Sequence, residues 1–183
     1  MAANIASSKR VVRWEVLPGL PGEGPVPLHF HAGHPTPWAE GLVIRFWNED
    51  ESEWVGNFQG RQDWSTRILD WPEAETLVVL PMDNLYLFDA RNPSEYITVP
   101  EDGFTLVDDV MFDNDHRFLF VAANTRVFGI GQDRRVAWTN EIIRGYDAQL
   151  LECSNGVLLV DVEQELGGAR RTIRLSAKNG SLL

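Results

Sequence analysis

The 183-residue sequence contains one cysteine, Cys153, so it cannot form a disulfide bond within the chain. It has no apolar run near the roughly 18 residues that span a bilayer. Its first residues lack the apolar core of a secretory signal. These absences predict a protein of a reducing compartment, and we expect the cytoplasm. They also predict no membrane partner.

Basic residues are scarce, because 16 Lys and Arg stand against 27 Asp and Glu, giving a formal net charge of −11. Nucleic-acid backbones demand a basic footprint, so this balance predicts no nucleic-acid partner. An acidic surface suits either solubility or a basic protein partner, and the charge alone does not choose between them.

Catalytic and phosphate-binding patterns are missing from the sequence. It has no Gly-x-Ser-x-Gly, P-loop or His-Glu-x-x-His pattern. The pair Gly129 and Gly131 lacks the third glycine of a dinucleotide fingerprint. Cys153 has no histidine near it in sequence and fits a small buried residue better than a nucleophile. The motifs therefore favour a protein that is not an enzyme and predict no cofactor, unless a divalent transition metal binds.

Short segments rich in β-branched and aromatic residues run through the whole chain, each bounded by Asp, Asn, Gly or Pro. The best helical alternative, residues 139–152, has Gly145 in its interior, which costs about 1 kcal/mol in a helix. We interpret that segment as a turn followed by a strand at 148–153. The sequence therefore predicts an all-β protein.

A repeat of strand, turn and strand places Leu77, Leu119 and Leu158 in equivalent positions, with a looser copy around Leu42. One further apolar run precedes each copy and another follows it. Each unit therefore contains four antiparallel strands in about 40 residues, which is the size of a β-propeller blade. No Trp-Asp, Gly-His or double-glycine signature accompanies the repeat, so we assign no family.

The repeat predicts a single all-β domain, residues 1–183, with small β-propeller-like architecture. It has a Pro/Gly-rich loop at 17–27 and repeat units at about 26–63, 64–102, 103–140 and 141–183. The strand at 11–16 would pair beside the final segment 180–183 and close the circle. Four units are few for a ring, so a homodimer that shares sheets is an option. A β-sandwich or barrel of similar strand count is the alternative.

Three of the four histidines, His29, His31 and His34, fall within six residues. Alternate residues of a strand share a face, so His29 and His31 could reach one transition-metal ion, with His34 as a third ligand and Glu40 as the nearest carboxylate. The segment resembles the His-x-His strand of cupins superficially, but its carboxylate comes nine residues after the second histidine instead of four or five. The favoured alternative is a proline-flanked edge strand with unliganded imidazoles.

Five of the seven tryptophans lie between Trp38 and Trp71, and four acidic residues occupy the turn at 48–53. Packing between sheets is the favoured role for the tryptophans, with Trp47 and Trp54 as a cross-strand pair on one hairpin. Exposed indoles would instead form a sugar platform. The candidate partner-binding residues are those of the hairpin: Trp47, Glu49, Asp50, Glu51, Glu53 and Trp54.

Three functions remain open at this level. The favoured one is a non-catalytic binding module with an acidic surface and a basic protein partner. The first alternative is a metal-binding protein or metal-dependent β-barrel enzyme that uses the three histidines. The second is a carbohydrate-binding module that uses Trp38, Trp47, Trp54 or Trp64.

Overall fold

The structure is a computed structural model that describes residues 10–32, 40–60, 66–81, 84–89, 91–99, 107–142, 146–164 and 167–183. The chain divides into two compact units, residues 1–103 and 104–183, and each unit contains two β-sheets. In the described ranges the only helical element is the three-residue 3-10 helix Pro72–Ala74, and no helix there could cross a membrane. The all-β prediction is confirmed.

The first unit holds two four-stranded sheets. The first sheet has the order β1-β3-β4-β2, and its strands are β1 (Val11–Leu17), β2 (Leu28–Phe30), β3 (Leu42–Asn48) and β4 (Glu53–Phe58). The second sheet follows chain order, with β5 (Arg67–Trp71), β6 (Thr76–Leu80), β7 (Leu85–Asp89) and β8 (Asn92–Val99).

The second unit holds the third and fourth sheets. The third is the antiparallel meander of β9 (Asp109–Phe112), β10 (Phe118–Ala123), β11 (Arg126–Gly131) and β12 (Val136–Glu141). The fourth contains β13 (Tyr146–Ser154), β14 (Val157–Glu163) and β15 (Arg170–Ser176). In the second, third and fourth sheets, strands that are consecutive in sequence thus pair with each other, as in a propeller blade and unlike the Greek-key order of a sandwich.

Two details of the predicted repeat are wrong. The first sheet is not fully antiparallel, because β2 pairs with β4 in parallel. The fourth sheet has three strands, since the final segment is reduced to a single bridge between Leu175 and Leu182. Within the first sheet, the first strand pairs with β3. The repeat period predicts the four sheets, but it does not determine which strand lies at the edge of a sheet.

The core of the first unit is aromatic and is shared by its two sheets. Phe30 and Phe58 stack with ring centroids 4.2 Å apart, and Phe88 of the second sheet lies 5.4 Å from Phe30. Each aromatic side chain buries a large apolar area, and its ring contacts add to the free energy of burial. The two sheets are therefore held by rings from both of them.

The core of the second unit contains Trp138, which is 8% exposed. Its ring lies opposite Gly129 in the β11–β12 ladder and also against Gly180. Its Nε1–H donates a hydrogen bond to the carbonyl of Ala177, 3.1 Å away, just after the fourth sheet ends. Trp138 thus links the outer strand of the third sheet to the fourth.

Gly129→Ala should destabilise the protein, because a Cβ at this position would lie less than 3.0 Å from the Trp138 ring. Overpacking of this kind costs about 1–3 kcal/mol. Urea unfolding followed by tryptophan fluorescence measures the change in unfolding free energy. The control is Gly22→Ala, where a Cβ meets nothing within 4 Å. Equal stability of the two variants would contradict the packing of Trp138.

Candidate functional site

The first candidate site is the histidine pair at β2, an edge strand of the first sheet, with His29 in the strand and His31 directly after it. The rings of His29 and His31 are nearly parallel, with centroids 6.2 Å apart, as expected for alternate residues of a strand. Phe30 between them points the other way, into the aromatic core. The structure therefore places His29 and His31 together, while His34 lies outside the described residues.

The hydrogen bonds of Asn57 determine which ring nitrogen of His29 carries the proton. Asn57 is buried, and its Oδ1 accepts the N–H of Gly41 at 2.8 Å. Its Nδ2 is therefore the atom that faces His29 Nδ1, 3.1 Å away. An amide nitrogen can only donate, so Nδ1 accepts and the ring proton sits on Nε2. A metal-binding histidine usually has the opposite pattern, in which the other nitrogen donates its N–H to an acceptor.

Further metal ligands are not gathered around this pair in the described part of the chain. No group of three or more His, Cys, Asp or Glu side chains there could hold an ion. The carboxylate of Glu40 is exposed and accepts the N–H of Leu20. The geometry favours unliganded edge-strand imidazoles, and the metal site with its three histidines stays a prediction.

The second candidate site is the acidic hairpin, which we define as residues 48–53 between β3 and β4. The Asn48 N–H donates to the Ser52 carbonyl at 2.9 Å, and the Asp50 carboxylate accepts both the N–H and the hydroxyl of Ser52. Glu51 adopts a positive φ of 65°, which closes the turn. Asp50 thus shapes the hairpin, while the side chains of Glu49 and Glu51 are exposed at its tip.

The two tryptophans beside this hairpin lie on opposite faces of the first sheet. The ladder pairs Trp54 with Phe46 and Trp47 with Glu53, so the predicted Trp47–Trp54 pair is wrong. The Trp54 ring stacks on Phe46 at 4.1 Å and packs against the aromatic core. This position favours the packing role over a sugar platform.

Trp47 lies on the other face, where basic side chains cover it. The guanidinium of Arg13 lies over its ring, 3.9 Å from the centroid, and that of Arg45 lies 5.9 Å away. Arg45 in turn approaches the Glu53 carboxylate at 4.0 Å. An indole face covered by a guanidinium is not open to a sugar ring. Trp38 and Trp64, the other predicted platform residues, lie outside the described residues.

Acidic charge is concentrated in the first unit. Residues 1–103 contain 16 Asp and Glu against 7 Lys and Arg, a net charge of −9, and residues 104–183 contain 11 against 9, a net charge of −2. The acidic hairpin therefore belongs to the unit that carries most of the negative charge. The charges can be counted from the sequence, but the boundary between the two units comes from the structure.

Sequence reasoning missed a groove in the second unit, between the β9–β10 turn and the β13–β14 turn. Its volume is about 660 Å³, and its lining includes Asp113, Arg117, Cys153 and Lys178. Asp113 is 7% exposed and accepts the N–H of Phe118, and Arg117 lies 3.8 Å from it and 2.8 Å from Asp115. The two turns that form this groove are about 40 residues apart in the sequence, as Asp113 and Cys153 are. No local sequence pattern predicts such a groove.

Burial raises the pKa of the Cys153 thiol, and the negative charges of Asp113 and Glu152 raise it further. A raised pKa keeps the thiol protonated at neutral pH, and only the thiolate is a good nucleophile. The structure therefore supports the interpretation of Cys153 as a buried apolar residue.

Trp54→Ala should cost about 2–4 kcal/mol of unfolding free energy, because the ring fills part of an aromatic core. Trp47→Ala should cost about 1 kcal/mol, since it removes mainly the contact with Arg13. Urea unfolding followed by circular dichroism compares the two variants. Equal costs would contradict the assignment of the two rings to opposite faces of the sheet.

Asp113→Asn should move the alkylation of Cys153 by iodoacetamide to lower pH, because a negative charge that raises the thiol pKa is removed. Asparagine retains an oxygen that can accept the N–H of Phe118, so the turn should persist. Mass spectrometry of the alkylated fraction across a pH series gives the profile. Asp133→Asn, an exposed substitution in another turn, serves as the control and should leave the profile unchanged.

No protein-family model matches the chain, and no curated protein matches it. It is similar to the crystal structure of BBS1N in complex with ARL6DN, with 15% identity and a TM-score of 0.44 over 95% of this chain and 58% of that one. It is also similar to the β-propeller domain of Myceliophteria thermophila Cps50 (Swd1), with 15% identity and a TM-score of 0.38 over 74% of this chain and 46% of that one. The chain thus spans about half the length of these solved structures.

Proposed function

We propose that this protein is a non-catalytic interaction module whose first unit binds a basic protein. The observation that carries the proposal is the acidic hairpin, where a hydrogen-bonded turn holds two exposed glutamates at the tip. Loops that are fixed on a rigid sheet are common places for recognition. A pre-shaped loop also loses less conformational entropy when it binds a partner.

The charge of the surrounding unit supports a basic partner. A net charge of −9 in residues 1–103 would attract a cationic protein over a distance of about 10 Å at 0.1 M salt. Charged groups at the rim of an interface mainly raise the association rate and select the partner. Glu49 and Glu51 are the residues that a basic partner would contact first.

Glu49→Lys/Glu51→Lys should weaken binding to a basic partner by roughly tenfold at low salt, because two attractive charges become repulsive. The probe is a fluorescein-labelled peptide of ten lysines, followed by anisotropy, together with affinity capture of basic proteins at about 50 and 500 mM salt. The matched control, Glu95→Lys/Glu141→Lys, has the same net charge but leaves the hairpin intact.

The two variants separate a specific surface from general charge attraction. Retained binding by the control and loss by the hairpin variant would support the proposal. Equal weakening in both would show that only the total charge matters and would contradict a hairpin site. Capture of no basic protein by the wild-type chain at either salt concentration would contradict the basic partner itself.

A further inference from the structure

The dipeptide Asn-Gly occurs twice in the sequence, at Asn155-Gly156 and at Asn179-Gly180. Asparagine is a thermolabile residue, and a following glycine has no side chain to shield its own amide nitrogen from the asparagine side chain. Both copies lie in the second unit, and both asparagines are exposed. Sequence and exposure therefore treat the two copies alike, and the hydrogen bonds around them decide which one can react.

The first copy is the two-residue loop between β13 and β14. Asn155 and Gly156 have φ values of 51° and 77°, as an Asn-Gly hairpin turn requires. Within the described residues the Asn155 side chain makes no hydrogen bond, and the only bond of Gly156 is the one that its carbonyl accepts from Ala177 N–H at 2.9 Å. A Cβ on Gly156 would meet nothing within 4 Å. The Gly156 N–H and the Asn155 amide are thus both unbound and unpacked.

The second copy is held by three hydrogen bonds. Gly180 N–H donates to the Ser176 carbonyl at 2.8 Å. Asn179 Oδ1 accepts the N–H and the hydroxyl of Ser181, at 3.1 and 2.9 Å. Gly180 is also buried against the Trp138 ring, where a Cβ would lie less than 3.0 Å from ring atoms. The backbone nitrogen and the side-chain carbonyl of this copy are therefore both engaged.

The reaction that an Asn-Gly pair can undergo is an attack of backbone nitrogen on side-chain carbon. Hydroxide removes the proton of the Gly156 N–H, and the nitrogen attacks Cγ of Asn155 to form a succinimide ring. The bond from Cγ to Nδ2 breaks, and Nδ2 takes a proton from water and leaves as ammonia. Water then opens the ring at either carbonyl, which gives aspartate or isoaspartate. The net change is one water consumed and one ammonia released, with no oxidation or reduction.

The attack also requires a rotation of the backbone. In the left-handed conformation the Gly156 nitrogen points away from the Asn155 side chain, so the Cα–C bond of Asn155 must turn to bring the two together. Nothing packs against Gly156 to resist this movement. The same movement at Gly180 would break its bond to Ser176 and disturb its packing against Trp138.

We propose that Asn155 is a site of spontaneous deamidation in the folded protein, and that Asn179 is protected although it belongs to the same dipeptide. Asn155 lines the groove of the second unit together with Asp113 and Lys178. Deamidation replaces a neutral amide with a carboxylate at this groove, and isoaspartate also lengthens the backbone of a two-residue loop. The modification depends neither on the acidic hairpin nor on a partner protein.

Two tryptic peptides separate the two sites. Cleavage after Arg144, Arg170 and Lys178 gives peptides 145–170 and 179–183, and each contains one asparagine. The folded full chain is incubated at mildly alkaline pH, and mass spectrometry of the two peptides follows the mass gain of deamidation with time. A parallel incubation in guanidinium chloride reports both sites without tertiary structure.

We expect Asn155 of the folded chain to convert at least about tenfold faster than Asn179, because Asn179 and Gly180 must first break their hydrogen bonds. In guanidinium chloride the two sites should convert at similar rates. The product at position 155 should include isoaspartate, which the ring produces and direct hydrolysis of the side chain does not. Digestion by a protease that cleaves at aspartate and not at isoaspartate distinguishes the two products.

Two variants test the protection itself. Ser181→Ala removes the hydroxyl that donates to Asn179 Oδ1, so it should accelerate conversion at Asn179 and leave Asn155 unchanged. Asn155→Gln should abolish the fast conversion in peptide 145–170. Equal rates at the two sites of the folded chain, or a faster rate at Asn179, would overturn the proposal. Conversion of Asn155 only in denaturant, or aspartate formed there without isoaspartate, would overturn it as well.

Discussion

A twisted β-sheet cannot bury both of its faces by itself, and this constraint shapes each unit of the protein. In the first unit, aromatic rings from both sheets pack together between them, and Phe30, Phe58 and Phe88 are in mutual contact. In the second unit Trp138 lies between Gly129 and Gly180 and donates its N–H to Ala177. The glycines provide room for the indole, so the tryptophan and its glycine neighbours depend on one another.

Hydrogen bonds between the two sheets of each unit satisfy polar groups that are partly buried beside the cores. In the first unit the carbonyl of Gln59 accepts the hydroxyl of Tyr86 at 2.8 Å, and burial raises the pKa of Tyr86. In the second unit the Asp109 carboxylate accepts the N–H of Leu150 at 3.0 Å. Such bonds matter because an unsatisfied buried polar group costs about 1–3 kcal/mol. They fix the position of one sheet against its neighbour within the unit.

The edges of the first and fourth sheets differ in the strands that the described residues place there. The first sheet completes itself with the short parallel strand β2, whose histidines point away from the core. In the fourth sheet the described residues place only a single bridge, between Leu175 and Leu182, beside β15. The acidic hairpin is a different surface of the first sheet, and side-chain charge is what would attract the proposed basic partner.

The sequence by itself determined the all-β class, the repeat of strands in groups and the acidic charge. These properties depend on local composition and on spacing, which alternate apolar residues and turn residues make visible. Leu77, Leu119 and Leu158 lie in the second strands of three sheets, as the repeat predicted.

Only the tertiary structure decided which residues meet across the sheets. A shift of one position in a ladder moves a side chain to the opposite face, which is why Trp54 lies against the core and Trp47 lies under Arg13. The tautomer of His29 depends on Asn57, 28 residues later, and the groove around Cys153 depends on turns 40 residues apart. Such contacts follow from strand register and from packing over long separations in the chain, and no local pattern of residues encodes either.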